Sequence, residues 1–583
     1  MRKSLLLTVA LFLAAGIVHA QQATTNKLRP LTKANAKLPA TSASSEIEAL
    51  REALDAQQQQ IQQLRDEALR RDATLQQLQQ QLSTLQSAAT QAQSAAQAAA
   101  TSSQNTAATL TQVQTTVADL KTETSRAAIT QDVEKRLREF EQPSQIHFRG
   151  ITITPGGFLA ANTVFRVRNE NADVLDTYGN APFSGSSNSR LSEFRFTARH
   201  SRISLGLEGK IHDWKATGYY EMDFEGAAPT ANEVQTNSFQ PRIRQLWAQL
   251  ETKNGISFLG GQAWTLLTTN RKGISPTTVF VPLTVTASFN VGYSYARQVG
   301  FRVTKGFNDK AWFAFAVENP ETVLSVINPP ANVLGFATSP NAQSPNSGFT
   351  LSNTPGGTGV STDLAPDLIA KVAFEPGWGH YEIKALGRFF RDRLTGNNNV
   401  TGGGGLGFGF ILPIVEKKFD FTVQAMGGRG IGRYGTANGS DVTLRPNGTI
   451  VPILSYQTLV GLELHPAPKL DLWLYGGNEY FGRSAYTTIA GTTTIGVGYG
   501  SPLNNLSGCS LETPSATQPC NAQNRDVWQI QPGFWYRFWR GKEGTLQYGM
   551  SYSYVHRRPW AGTGGRPVGI NNIVMTSLRY YFP

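Results

Sequence analysis

The chain has 583 residues, too many for one compact soluble domain, and it is rich in glycine and aromatics but only 16% charged. After the first twenty residues, no stretch supplies the roughly 20 apolar residues that a membrane-spanning helix needs. The net charge of +12 comes without a stripe of interleaved cations and aromatics, which argues against a nucleic-acid partner. It leaves two readings: a plainly basic surface, or cations lining a path for anions.

The opening run, MRKSLLLTVALFLAAGIVHAQQ, has a basic start (Arg2, Lys3), an apolar stretch from Leu5 to Ile17, and small residues before a cut after Ala20. Residues 1–20 therefore read as a secretory signal peptide, followed by a polar linker over 21–44. Over 45–142 a heptad places Ile47, Leu54, Ile61, Leu75 and Leu82 on a, and Leu50, Leu64, Leu78 and Leu85 on d. The register crosses an Ala/Ser/Gln-rich middle and returns with Leu110, Val113, Val117 and Leu120, before a neck that ends at Pro143. This predicts a coiled coil about 110 Å long, with a disordered linker as the alternative for its middle. So narrow a helix is not stable alone, so the chain is expected to oligomerise. Polar Gln57 and Arg71 on d leave the number of copies open.

From Ile146 onward the composition shifts to Gly, Thr, Asn and aromatics, and the period becomes two. In WKATGYYEMDFE, Trp214, Ala216, Gly218, Tyr220, Met222 and Phe224 share one face. Lys215, Thr217, Tyr219, Glu221, Asp223 and Glu225 share the other. KFDFTVQAM and LQYGMSYSY repeat the pattern. Strands with one greasy face and aromatics at its ends read as a lipid-facing wall. Short turns, from GKIHD to RGKEG, alternate with long polar stretches. The expected fold is an all-β transmembrane barrel of about 16 antiparallel strands over 146–583, preceded by the coiled coil, with both barrel ends on the short-turn side. NIVMTSLRYYFP alternates Val574, Thr576, Leu578 and Tyr580 against Met575, Ser577 and Arg579. It is expected to pair with a first strand near 156–168 and so remove the sheet edge. Cys509 and Cys520 fall in a long stretch and are expected to form a disulfide. No histidines accompany them, so neither a metal nor a cofactor is expected.

The segments RFTARHSRISLGLEGK, ATGYYEMDFEG, RIRQLWAQLETKNGISFLGGQAWTLLT and YARQVGFRVTK, from about Arg195 to Lys305, are similar to the DcaP-like porins. The rest of the chain resembles that family in architecture: signal peptide, coiled coil, then barrel. The resemblance implies a homotrimer and uptake of small anions such as dicarboxylates or aromatic acids. One departure is Pro583, which displaces the usual terminal aromatic, Phe582, by one position.

Solute selection is expected at the third long stretch, 265–292, which is unusually apolar for a surface loop. Burial in the lumen would place Arg271 and Lys272 near the constriction; packing on the rim or on a neighbouring subunit is the alternative. Arginine suits carboxylates because its planar guanidinium donates two parallel bonds. Arg302 and Arg388 oppose outward apolar residues and read as inward. Arg195 and Arg199 need a bulge near Ser201 to reach the lumen; Arg242 and Arg244 need a bulge or a place at the rim. Arg202 is a further candidate. Glu221 and Asp223 also point inward, so the arginines either select anions or pair these acids across the bore.

The reading is a porin for passive diffusion of small hydrophilic solutes, favouring anions such as carboxylates. A non-selective porin, or a tether whose coil reaches peptidoglycan, is the alternative. His200, His380, His465 and His556 stand singly, without a catalytic partner at fixed spacing, so no enzyme is expected. The expected place is an outer membrane with the coil in the periplasm. The expected partners are membrane lipid, further copies of the chain and small anions.

Overall fold

The structure is a computed structural model that describes residues 145–583 except 171–177, 227–239, 287–289, 330–349, 352–360, 362, 393–395 and 438. The signal peptide, linker and coiled coil expected from the sequence lie outside the described residues.

Sixteen antiparallel strands close into a barrel. β1 is Ile151–Arg166, and β2 runs in two pieces, Glu193–Thr197 and Arg202–Ile211. Trp214–Asp223 is β3, Arg242–Glu251 β4, Ile256–Trp264 β5, Arg297–Phe307 β6 and Ala311–Glu318 β7. Asp367–Phe374 is β8, His380–Asp392 β9, Asn399–Val415 β10 and Phe419–Arg429 β11. Leu454–Ala467 is β12, Leu470–Phe481 β13, Asn524–Gly541 β14, Gly544–Pro559 β15 and Gly569–Tyr581 β16.

Closure runs through β1. Its upper half pairs with β16, from Phe158 opposite Tyr581 to Arg166 opposite Ile573. Below that point the same edge of β1 is covered by a short strand, Ile146–Phe148. The connecting turn has Arg149 at φ 47° and Gly150 at φ 82°, the two left-handed residues that a tight hairpin with native twist requires. This edge of β1 is thus paired over 151–153 and 158–166.

The alternation partitions the wall. Phe301 is 71% exposed and Leu406 69%, both on the outer face, while their alternate neighbours Arg302 and Gly407 are buried on the inner face. Two irregularities restore this parity. Phe194 and Phe196 face outward on the first piece of β2, and Ile203, Leu205 and Leu207 on the second, so the break at 198–201 absorbs the shift. In β4, Ile243 and Leu246 face outward while Arg244 and Gln245 are both buried, and the register to β3 slips between Glu221 and Met222. This is a β-bulge. It turns Arg244 into the lumen.

The core lies inside the barrel. The third long loop, L3 (residues 265–296), folds inward and lines the wall. Its Leu266, Leu267, Phe280, Val285 and Val291 are all at most 2% exposed. Each contributes roughly 1.5–3 kcal/mol relative to exposure, which is the physical reason an apolar loop abandons the rim. Glycines in the wall admit it. A Cβ on Gly477 of β13 would sit 1.8 Å from the Val291 carbonyl oxygen, and one on Gly409 of β10 would sit 2.7 Å from Thr269 Oγ1. The cysteines in the seventh long loop, 482–523, are joined as Cys509–Cys520.

Candidate functional site

L3 is held by side chains rising from the inner wall. At its first shoulder, Lys384 Nζ donates to the Leu267 carbonyl (2.6 Å) and to Thr269 Oγ1 (2.8 Å). Lys371 Nζ donates to the Thr268 carbonyl (2.6 Å) and to Asn270 Oδ1 (2.9 Å). Between them Glu382 accepts the Asn270 N–H at 2.8 Å and lies 3.1 Å from Lys371 Nζ. His380 Nε2 is 3.1 Å from the same carboxylate. Further along, Leu283 N–H donates to Tyr475 Oη (3.0 Å), and Trp535 Nε1 donates to the Leu283 carbonyl (2.6 Å). Arg579 donates to the Val285 carbonyl. Gln529 accepts the Val291 N–H and Glu479 the Gly292 N–H. These contacts run from β8 round to β16.

Under the tip of L3, on the short-turn side, lies a cavity of about 660 Å3. It is bounded by residues 281–286 and by the wall of β1, β2 and β13–β16. Its charged lining is Arg202, Arg537, Arg540 and Arg579 against Asp471 alone. Asp471 is already engaged by Arg537 and by His465 Nδ1 at 2.7 Å. Arg579 is 8% exposed, with its guanidinium 4.6 Å from the ring centres of both Phe158 and Trp535. Arg202 also lies over the Phe158 ring, 5.3 Å from its centre, and its Nε is buried without a hydrogen-bond partner. Among the described residues neither Arg202 nor Arg579 has a carboxylate within ion-pair distance. Both keep donor capacity for a ligand.

On the neighbouring wall the charges cancel instead. Arg244 bonds Glu221 (2.6 Å) and Asp223 (2.8 Å), while Arg242 bonds Asp223 (2.8 Å) and Glu225 (2.5 Å). His200 Nε2 is 2.8 Å from Glu225. Tyr295, near the end of L3, accepts from Arg244 (3.1 Å) and Arg297 (3.0 Å). Burial opposes ionisation of its phenol, but the two guanidinium groups outweigh this and bring its pKa down to about 7.

The residues named from the sequence divide accordingly. Arg271 is inside the barrel but is committed to Glu463 at 2.8 Å, with Asp420 at 3.9 Å. Asp420, Glu463 and His465 come together closely enough to crowd a cation, and the guanidinium of Arg271 stands at those carboxylates. Lys272 is exposed on the shoulder. Arg302 points inward and holds the Trp264 carbonyl at 2.6 Å. Arg388 is tied to Asp441 (2.7 Å) and Asp367 (3.2 Å). Arg195 faces Glu193 at 3.3 Å, and Arg199 donates to the carbonyls of Phe224 and Gly226. Arg242 and Arg244 sit at the bulge and pair acids, and Glu221 and Asp223 are their partners. Of this set only Arg202 lines the cavity.

Arg579, Arg537 and the Lys371–Glu382–Lys384 clamp were not singled out from the sequence. A signal existed for some of them: single charges at inward positions of otherwise apolar strands, as in DLIAKVAF, HYEIKAL and SLRYYFP.

No protein-family model matches the chain, and no curated protein sequence does. Among solved structures, the outer membrane channel DcaP of Acinetobacter baumannii matches with a TM-score of 0.53 at 17% identity. The match covers 75% of this chain and 100% of that one. The chain thus shares the barrel fold of that channel. Weaker likenesses are OmpF of Salmonella typhi and an anion-selective porin from Comamonas acidovorans. The first has TM-score 0.40 and 12% identity over 75% of this chain and 100% of that one. The second has TM-score 0.37 and 10% identity over 74% and 100%. Among the described residues the barrel encloses its inward loop and this basic cavity, and that pair is the candidate site.

Proposed function

We propose that the chain is an outer-membrane porin giving passive diffusion to small hydrophilic anions, carboxylates foremost, past the cavity under L3. The observation that carries this reading is the charge of that cavity. Arg202 and Arg579 share one aromatic ring, without a carboxylate partner among the described residues, Arg540 is exposed in the same lining, and Asp471 is already engaged. L3 adds no acid: residues 265–296 contain Arg271 and Lys272 but neither Asp nor Glu. Two guanidinium groups offer a carboxylate paired N–H donors, and the open cavity lets it leave again, as conduction requires. The acids Glu221, Asp223, Glu225 and Glu463 do not cancel this preference, because arginines of their own wall or of L3 already pair them.

With the short turns taken as periplasmic, as in outer-membrane barrels generally, the cavity belongs to the inner half of the bore and the disulfide-bearing loop to the outside. A homotrimer, with the N-terminal coil in the periplasm and within reach of peptidoglycan, is the assembly we infer from the heptads and the family resemblance.

The test is the reversal potential of the purified protein in a planar bilayer under a salt gradient, against the variant Arg202→Gln/Arg579→Gln. An anion preference that collapses in the variant supports the reading. Equal permeability to both ions in the wild type would make it a general diffusion porin. An anion preference untouched by the substitutions would move the selecting site elsewhere.

A further inference from the structure

The outer face of β8–β12 is almost free of charge. Among the described residues its outward positions are apolar, aromatic, glycine or threonine, with two exceptions, Arg391 on β9 and Arg429 on β11. Both lie at the long-loop end of their strands. Parity fixes their direction: Arg391 is in phase with outward Ile383, and Arg429 shares a row with outward Gly404. Neither has a hydrogen-bond or ion-pair partner for its side chain among the described residues.

Between them the wall is notched. Outward Gly387, Gly402, Gly404 and Gly427 carry no side chain, and around them a shallow groove of about 540 Å3 is lined by Ala385, Leu406, Leu454 and Arg429. A Cβ on Gly387 or Gly402 would meet nothing within 4 Å, so these positions open onto the membrane. From strand spacing and rise, the two arginines stand about 10 Å apart across the sheet and about 13 Å apart along it. Both side chains are long enough to lean over the notch.

A charge facing hydrocarbon is costly unless it is neutralised at the interface, and two cations without an ion-pair partner among the described residues call for an anion supplied from outside. A second copy of this chain does not supply it from its wall: among the described residues, no carboxylate faces outward from the long-loop end of any strand. We propose that this surface seats a phosphorylated lipid of the outer leaflet, its headgroup phosphates on Arg391 and Arg429 and an acyl chain along the glycine notch over Leu406. The inference rests on the outer-membrane placement proposed above and not on the anion preference of the pore.

The experiment is native mass spectrometry of the full chain, released from detergent after incubation with lipid A, a bis-phosphorylated acylated disaccharide. The comparison is the same lipid without its phosphates. Wild type should retain lipid A, and Arg391→Gln/Arg429→Gln should retain roughly tenfold less. Gly387→Leu/Gly402→Leu, which puts side chains into the notch where a Cβ meets nothing within 4 Å, should also lose retention. Bilayer conductance of each sample, expected to be unchanged, reports an intact barrel and tests the channel reading separately. Equal retention by wild type and the arginine variant, equal retention of the dephosphorylated lipid, or loss of subunits in place of lipid would overturn the proposal.

Discussion

Replacing Glu382 by Gln tests how L3 is held. The side chain is 2% exposed and lies 3.1 Å from Lys371 Nζ, 3.6 Å from Lys384 Nζ and 3.1 Å from His380 Nε2. It also accepts the Asn270 N–H at 2.8 Å. The substitution keeps the shape, so no cavity opens, and only charge is lost. Two buried ammonium groups are left facing each other without their shared carboxylate. Breaking such a buried pair costs about 3–5 kcal/mol. That cost falls on the L3 shoulder at 267–270, because both lysines are anchored by its carbonyls and side chains. At about 3–4 kcal/mol, local opening becomes roughly 10²–10³ times more frequent. Hydrogen exchange followed by mass spectrometry reads this on peptides spanning 266–272, and open-channel current noise reads it on the pore. The expected result is fast exchange of the shoulder while the barrel strands stay protected. Unchanged protection of 266–272 with unchanged noise would refute the clamp.

Tyr295 should make selectivity depend on pH. Its pKa is brought down to about 7 from an unfolded value near 10. A fixed negative charge therefore appears beside Arg244 and Arg297 as pH rises through 7, and anion preference should be weaker at pH 8.5 than at pH 6. Tyr295→Phe should flatten that dependence in reversal-potential measurements. The sign for stability is opposite. A depressed pKa gives a contribution that is absent below about 7, grows between about 7 and 10, and is full above. Gly409→Ala should destabilise by about 1–3 kcal/mol through the clash with Thr269. Thr269→Ala in the same chain should recover part of the loss in thermal unfolding. Cys509→Ser/Cys520→Ser opens a loop of 11-residue separation. Loop entropy puts the loss at roughly 2–3 kcal/mol, confined to the seventh loop, so limited proteolysis there should quicken while conductance stays the same.

The architecture was legible in the sequence because a strand's facing is local. Period two assigns Phe301 to lipid and Arg302 to the lumen whatever the rest of the chain does, and the turns between such runs count the strands. The need for irregularities was legible too. Arg195 and Arg244 share parity with lipid-facing neighbours, and only a break at 198–201 and a bulge at Arg244 bring them inside. The apolar composition of L3 likewise demanded burial. What the inward charges do was not legible, because pairing across a bore depends on which strands face one another and where the loop lies between them. Arg271 meets Glu463, 192 residues away, and Arg579 reaches the Val285 carbonyl, 294 residues away. No local pattern encodes such distances. The sequence by itself determined that Arg302 and Arg388 enter the lumen, because strand parity is local. Only the closed barrel, with L3 laid against its wall, decided that Arg271, Arg302 and Arg388 are consumed as structural ties while Arg202 and Arg579 have no carboxylate partner among the described residues.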